Sequence, residues 1–255
     1  MKITNAMYMI SSSKLKKAKK DLENTEPYFY TLQVSLARLL RHLPDMDHLY
    51  FENEDDEKKE NPKRGYIVVT ADKGMAGAYN HNIIKIAEEE LANHPDSELY
   101  VVGQVGRHYF ARKNVPVDIH FQYTAQNPSL HRARVIADKM LENYESGKID
   151  EVYIIYTKMI NSVTAEPEMI QLLPFRKIDF KISQADVYHE EIIIEPSPRA
   201  VMDRIVPNYI TGFIYGALVE SFCSEQNARM QAMDAATSNA EDMMESLELQ
   251  YNRAR

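Results

Sequence analysis

Apolar side chains recur at coiled-coil spacing near the start of the chain. Between residues 15 and 43 two interleaved sets each repeat every seven positions, and they are Leu15, Leu22, Phe29, Leu36 and Leu43, then Ala18, Thr25, Leu32 and Leu39. Such a repeat places both sets on one seam of a helix that packs against another helix. We therefore predict a long N-terminal helix, locally kinked at Pro27 because proline lacks an amide donor.

The end of the chain carries a second helical seam, made of smaller or more flexible side chains. From Tyr209 to Ala254, the residues at alternating spacings of three and four include Gly212, Gly216, Cys223, Met230, Met233, Met244, Leu247 and Tyr251. No helix breaker follows Pro207, so the pattern predicts one helix of about 45 residues, roughly 70 Å long. Small residues allow another helix to approach closely, and methionines fill irregular gaps. We expect the two terminal helices to pack as an antiparallel pair.

Short runs of β-branched and aromatic residues alternate with helical patterns between these two helices. The predicted strands are 66–70, 99–102 and 152–156, with an edge strand expected at 169–175, and the predicted helices are 80–93, 106–113 and 129–147. Alternation of strands and helices is typical of βαβ units around a mainly parallel sheet. We therefore predict an α/β fold class, with a Rossmann-like central domain between the two long helices.

The pattern divides the chain into three parts. We predict an N-terminal helical part over 1–55, a central α/β domain over 56–198 and a C-terminal helical part over 199–255. The charged segment 52–61 has no apolar face, so we expect a solvated connection there. Residues 177–198 are predicted to be a return segment that leads back to the last helix.

Composition indicates a folded protein. The chain has 255 residues, of which 44% are hydrophobic, enough for a sizeable core. Its one cysteine, Cys223, cannot form an internal disulfide, so we expect an intracellular protein. Charged and polar residues interrupt the most apolar stretch, 201–223, and no membrane span is expected. The net charge of −8 does not favour a nucleic-acid partner.

The turn between the first predicted strand and helix is the most enzyme-like feature. Residues 70–80 are TADKGMAGAYN, placed where the N-terminal amides of a helix can bind phosphate. The glycine spacing matches neither the P-loop nor the dinucleotide motif, so it favours a tight turn with Asn80 as the helix N-cap. The eight histidines are scattered, without metal-ligand spacing. We expect no catalytic residue, no cofactor and no metal.

Five lysines form a basic run on the first helix of this acidic chain: Lys14, Lys16, Lys17, Lys19 and Lys20. Two interpretations stay open. The run is either a solvated helix face or a contact with an acidic partner, where complementary charge orients binding.

Three segments of the chain resemble the γ subunit of F-type ATP synthases. The first is MKITNAM at 1–7, followed by SSKL at 12–15, and the second is TADKGMAG at 70–77, followed by YN. The third is SEQNARM at 224–230, with YNRAR at the end of the chain, and it is the most specific. The matches include both ends and the middle, so the resemblance covers the whole chain.

This resemblance implies a fold and a function. In the family the terminal helices form an antiparallel, left-handed coiled coil inside an α3β3 hexamer, and the α/β domain lies near the ε subunit and the ring of c subunits. The chain is then expected to be a central-stalk rotor subunit, one copy per complex, that couples ion flow to ATP synthesis or hydrolysis without an active site of its own. It would be peripheral on the cytoplasmic face of the bacterial inner membrane or, alternatively, on the matrix side of the mitochondrial inner membrane.

The resemblance also implies which residues contact partners: Met7, Lys14, Lys16, Lys17, Gln226, Arg229 and Arg255. Met7 corresponds to a methionine near acidic loops of the β subunits, whose charge the lysines would meet. Gln226 and Arg229 correspond to residues of the shaft helix. Arg255 corresponds to an arginine that contacts a catch loop of a β subunit, and a guanidinium can hold a carboxylate there through two hydrogen bonds.

Two other functions remain as alternatives. One is a phosphate- or nucleotide-binding α/β enzyme that uses the 72–77 turn, with the long helices as a dimerisation arm. It predicts nucleotide binding that Gly74→Ala abolishes. The other is a coiled-coil scaffold that self-associates through the 209–254 seam, although small seam residues do not favour a tight homodimer.

Overall fold

The computed structural model describes residues 2–43, 47–52, 61–161, 164–176 and 193–255. Nine elements follow one another in the described chain: α1 (Lys2–His42), β1 (Arg64–Val69), α2 (Tyr79–Asn93), β2 (Glu98–Val102), α3 (Gln104–Arg112), α4 (Leu130–Glu145), β3 (Glu151–Met159), β4 (Ala165–Leu173) and α5 (Pro198–Ala254). The predicted central strands and helices are all present. Most of the predicted connection at 52–61 and most of the predicted return segment at 177–198 lie outside the described residues.

The four strands form one mixed sheet in the order β2-β1-β3-β4. β1 pairs in parallel with β2 and β3, whereas β4 runs antiparallel along the edge. The prediction of an α/β fold with a mainly parallel sheet is therefore confirmed. The edge strand begins at Ala165, four residues before its predicted start.

Helices cover both faces of this sheet. Ile67 and Val69 of β1 belong to the apolar core that also contains residues of α1, α4 and α5. Tyr66 and Val68, which point the opposite way along the same strand, pack with residues of α2 and α3. Burial on both sides explains why β1 is a continuous apolar run rather than an alternating one.

α1 and α5 pack side by side and run in opposite directions. The hydroxyls of Thr4 and Thr237 lie 2.7 Å apart, while Phe29, further along α1, contacts Gly212, which comes earlier on α5. All nine seam positions predicted on α1 are buried or half-buried. Pro27 lies inside α1 and does not end it.

α5 is longer than the sequence predicts. It has 57 residues and starts at Pro198, where the Oγ of Ser197 accepts a hydrogen bond from the amide of Ala200. It continues through Pro207, so the predicted length of about 45 residues is too short. The hydroxyl of Thr211 bonds the Pro207 carbonyl at 2.8 Å, and packing of the buried residues around this turn outweighs the local cost of the proline.

Candidate functional site

The seven predicted contact residues differ in exposure. Lys16, Lys17 and Arg255 are exposed, whereas Met7 and Lys14 are half-buried on α1. The other two lie inside the chain, since Gln226 is 1% and Arg229 is 7% exposed. The structure therefore does not bring the seven together on one surface, and their contact with partners stays a prediction.

Arg229 connects α5 to the turn between β1 and α2. Its Nη2 lies 2.6 Å from Oε1 of Glu225, one helical turn earlier, and donates to the backbone carbonyls of Lys73 and Gly74 at 3.4 and 3.2 Å. The neighbouring Ala228 packs against the same turn. We call this contact the Arg229 joint. Two of the three segments that carry the family resemblance thus meet inside the chain.

The carboxylate of Glu225 is buried at this joint. Burial raises the pKa of the Glu225 carboxyl, and the charge of Arg229 opposes that effect. Among the described residues, the second carboxylate oxygen of Glu225 and the side-chain nitrogen of Gln226 are buried without a hydrogen-bond partner. Removing one member of a buried ion pair leaves an uncompensated charge, so the joint is costly to break.

A second set of contacts fixes α5 to the end of β3. The Oγ of Ser221 accepts a hydrogen bond from the amide of Thr157 at 3.0 Å, and the Oγ of Ser224 donates to the Thr157 carbonyl at 3.4 Å. The carboxylate of Glu220 accepts from the amide of Met159 at 3.3 Å. In open α/β sheets, ligands bind beyond the carboxyl ends of the strands where the strand order reverses, here between β1 and β3. In this chain α5 occupies that place.

Asn80 does not cap α2 as the sequence predicts. The helix begins at Tyr79, and no side chain makes a capping hydrogen bond at Ala78. The Oδ1 of Asn80 instead accepts a hydrogen bond from the amide of Ala71 at 2.8 Å. Met75 and Gly77 have φ values of 61° and 55°, and these left-handed conformations fold the turn back onto the end of β1.

Hydrogen bonds within the chain also occupy the neighbouring turn at the start of α3. The carboxylate of Asp72 accepts from the amides of Gln104 and Gln126, each at 3.1 Å, and from the hydroxyl of Thr124. The amide of Gly106 donates to the Oγ1 of Thr70 at 3.0 Å. The amides of Gln104 and Gly106 at the α3 N-terminus therefore already have hydrogen-bond acceptors within the chain, and they are not free to bind a phosphate.

The lysines of the basic run on α1 are exposed or half-buried. Lys14 and Lys17 line a cavity of about 250 Å³, together with Asn127 and Ser129 at the start of α4. Lys16 and Lys17 are exposed and Lys14 is half-buried, and contact of the run with an acidic partner stays a prediction.

The last part of α5 extends away from the rest of the described chain. All residues from 241 to 255 are exposed. They include several large apolar side chains: Met243, Met244, Leu247, Leu249 and Tyr251. The predicted seam continues to Ala254, but its last part has no partner helix among the described residues. Exposed apolar residues grouped in this way mark sites of protein interaction.

Other expected features can be located in the described part of the chain. Cys223 is a free, buried thiol on α5, and burial raises its pKa to about 11. The described residues contain no group of three or more His, Cys, Asp or Glu side chains placed to hold a metal ion. None of the described helices combines the length and the apolar character that a membrane crossing requires.

Some residues that join α5 to the central domain have no recognisable sequence pattern. Ser221, in the contact with β3, and Tyr79, at the start of α2, are both buried, yet neither has a local pattern that marks it as a contact residue. Glu225 and Arg229 are different, because an acid four residues before an arginine on a helix indicates an ion pair. That spacing indicates the contact of Arg229 with Glu225 but not its contacts with the carbonyls of Lys73 and Gly74.

Comparison with known proteins gives a consistent result. A family model described as "ATP synthase" matches residues 1–255. The chain is 44% identical to the ATP synthase gamma chain of Ruminiclostridium cellulolyticum and 45% identical to that of Acetivibrio thermocellus, covering 99% of this chain and 87% of each relative. It is 32% identical to the sodium ion specific ATP synthase gamma chain of Acetobacterium woodii, over 100% of this chain and 88% of the relative.

A solved structure supports the fold. The chain is similar to a chain in the central stalk and c-ring structure of the Tetrahymena thermophila mitochondrial ATP synthase, with a TM-score of 0.68 and 23% sequence identity. The match covers 92% of this chain and 99% of that one. The arrangement of two long helices and a small α/β domain therefore occurs in a solved protein.

Proposed function

Because this chain belongs to the ATP synthase gamma-chain family, we propose that it is the rotor subunit of the central stalk of a membrane ATP synthase. In this role it couples ion flow through a c-subunit ring to ATP synthesis or hydrolysis at an α3β3 hexamer. Its partners are then the α, β, ε and c subunits, and the complex holds one copy of it. The chain is peripheral, on the cytoplasmic face of a bacterial inner membrane, with the mitochondrial matrix side as the alternative.

The exposed end of α5 is the observation that carries this proposal. At about 1.5 Å per residue, a helix of 57 residues is roughly 85 Å long, longer than the central domain that it crosses. Exposed methionine, leucine and tyrosine side chains grouped at a helix end are typical of a surface that binds a partner. We propose that α1 and α5 form a left-handed coiled coil and that this end enters the cavity of the hexamer.

Torque transmission needs a firm connection between the central domain and the shaft. The Arg229 joint attaches α5 to the turn after β1, and the Ser221 contact attaches it to the end of β3. A turning force applied to the α/β domain near the c-ring would therefore pass directly into α5. These contacts support a mechanical role in which Glu225 and Arg229 hold the chain together.

Partner contact is proposed for the accessible predicted residues. Lys16, Lys17 and Arg255 are exposed, and Met7 is half-buried on the same helix as the lysines. The positive charges of Lys16 and Lys17 would pair with acidic loops of β subunits. The guanidinium of Arg255 would bind a carboxylate of a catch loop. Gln226 and Arg229 would need their buried side chains to become accessible before they touched a partner.

The chain is proposed to be non-catalytic. The alternative of a nucleotide-binding enzyme places the ligand at the 72–77 turn, beside the end of β1. Backbone carbonyls of that turn accept from Arg229, and Asp72 is already bonded to three donors within the chain. The contact of α5 with Thr157 occupies the adjoining crevice. These contacts favour the rotor over the enzyme.

Co-purification with matching α and β subunits tests the proposal. We expect one copy of the chain per three β subunits, and we expect Arg255→Ala to change the ATP hydrolysis rate of the complex without dissociating it. Arg253→Ala is the matched control, because Arg253 is also exposed and lies two residues earlier. A chain that stays apart from the hexamer and binds nucleotide by itself would contradict the proposal.

A further inference from the structure

A groove lies between α1, α5 and the sheet, away from the Arg229 joint. Its volume is about 690 Å³, and Pro27 of α1 and Gly216 of α5 line it. No heavy atom outside the local backbone stands within 4 Å of the position that a Cβ of Gly216 would take. The helices therefore leave open space at this point, whereas at Gly212, one turn earlier, Phe29 fills it.

Several aromatic rings line this groove. Phe29 and Tyr30 of α1 face it from one side, and Tyr156 of β3 and Phe213 of α5 face it from the other. The rings of Tyr156 and Phe213 pack edge to face, with centroids 6.4 Å apart. The faces of such rings attract cations, because the ring quadrupole is negative there.

The charged residues in the lining are all acidic. They are Glu26 of α1 and Glu220 of α5, and the lining contains no Lys, Arg or His. Glu220 accepts one hydrogen bond, from the amide of Met159 at 3.3 Å. Lys158 also acts on Glu220 from β3, but its ammonium lies 3.4 Å from a carboxylate oxygen of Glu168 on β4. Glu220 and Glu168 thus share one lysine.

The electrostatic state of Glu220 reflects this imbalance. Burial is the largest cause that raises the pKa of its carboxyl, and the charges of Glu168 and Glu26 raise it further. The Met159 amide and Lys158 act in the opposite direction. An added positive charge in the groove would lower this pKa and stabilise the ionised carboxylate.

We propose that this groove is a binding site for a small organic cation that carries an apolar or aromatic body. The volume lies within the range of about 300 to 1,000 Å³ that is usual for small-molecule sites. The positive group would lie between Glu26 and Glu220, and the apolar body would lie against Phe29, Tyr156 and Phe213. The site is independent of the rotor function proposed above.

A bound cation would connect the two long helices. It would contact Glu26 and Phe29 on α1 and Glu220 and Phe213 on α5, at a point where these helices otherwise leave a gap. A ligand that binds only the folded chain raises its stability with concentration. Binding should therefore raise the unfolding temperature of the chain.

Benzyltrimethylammonium is a suitable probe, because its positive charge does not depend on pH. It is titrated into the full chain and followed by ligand-observed NMR and thermal unfolding. We expect saturable binding and a rise in the unfolding temperature, with at least about fivefold weaker binding of the neutral isostere neopentylbenzene. Absence of saturable binding, or equal binding of the neutral compound, would overturn the proposal.

Two substitutions and one control substitution test the location of the site. Gly216→Leu should abolish binding, because the new side chain enters the open groove. Ala235→Leu, at an exposed position of the same helix, should leave binding unchanged. Glu220→Gln retains an acceptor for the Met159 amide and should weaken binding of the cation about fivefold or more without changing binding of neopentylbenzene. Full-strength cation binding by the folded Glu220→Gln or Gly216→Leu chain would contradict the assignment.

Discussion

Two glycines one helical turn apart on α5 have opposite surroundings. A Cβ on Gly212 would stand 2.0 Å from Cδ1 of Phe29, whereas a Cβ on Gly216 would meet nothing within 4 Å. Gly212→Ala should therefore destabilise the chain by about 1–3 kcal/mol through overpacking. Gly216→Ala should stabilise it by about 0.5–1 kcal/mol, because alanine favours a helix more than glycine does. Urea unfolding of both variants measures the two changes, and equal changes would refute the packing described.

The ion pair of Glu225 and Arg229 is a second feature at the residue scale. Arg229→Met leaves the buried Glu225 carboxylate without its guanidinium, and we expect a loss of about 3–5 kcal/mol in the free energy of unfolding. Adding Glu225→Gln to this variant should recover part of the loss, since no charge is then left buried. A double-mutant cycle measures the coupling between the two side chains. A single variant as stable as the unchanged chain would contradict the buried pair.

The deficit of Arg229→Met should also depend on pH. Arg229 opposes the burial that raises the pKa of Glu225, so its removal raises that pKa further. A carboxyl whose pKa is higher in the folded chain favours folding below its unfolded pKa, and this contribution is lost as pH rises through the folded pKa. The deficit should therefore grow as pH rises from the folded pKa of Glu225 in the unchanged chain to its higher folded pKa in the variant. A deficit that stays constant as pH rises would show that removing Arg229 does not raise the pKa of Glu225.

At the scale of elements, the contact between α5 and β3 holds the helix to the sheet. Ser221→Ala removes the acceptor of the Thr157 amide, and we expect a loss of about 1–3 kcal/mol in stability together with faster hydrogen exchange of that amide. Ser238→Ala serves as the control, because Ser238 is exposed on the same helix. If both variants exchange the Thr157 amide at the same rate, the Ser221 contact does not anchor α5.

Periodicity predicted the elements well, because each one is apolar on the side that it buries. The β-branched run at β1 and the repeat of seven on α1 indicate their structures locally. The predicted length of α5 is too short because tertiary packing around the start of the helix outweighs the cost of Pro207. The predicted cap at Asn80 is wrong because the amide oxygen of that side chain bonds Ala71, nine positions earlier, rather than a neighbouring helix amide.

Only one contact of the Arg229 joint could be predicted from the sequence. The spacing of Glu225 and Arg229 indicates their pairing, but the Gly74 carbonyl that Arg229 also contacts lies 155 positions away. No periodic pattern encodes a contact over that distance. The resemblance placed Gln226 and Arg229 among partner contacts, whereas the fold buries both. The exposure of Gln226 and Arg229 could not be predicted from the sequence, because it depends on how α5 packs against the central domain.

At the scale of the whole molecule, the chain combines a small domain with a shaft that extends beyond it. The mixed sheet and its helices anchor α5 at two places, and the far end of α5 presents exposed apolar side chains. This arrangement agrees with a subunit whose central domain is turned while the end of α5 rotates inside a ring of other subunits. Membership of the ATP synthase gamma-chain family gives that arrangement its proposed function.

Rotation of single molecules tests this account most directly. His108 is exposed on α3, and Cys223 is buried, so His108→Cys offers a selective position for a probe on the central domain. The chain is assembled with matching α and β subunits, the hexamer is fixed to glass, and a gold particle is attached at residue 108. We predict ATP-driven rotation in one direction, in steps of one third of a turn. Steady ATP hydrolysis by an assembled complex whose particle does not turn would contradict the rotor function.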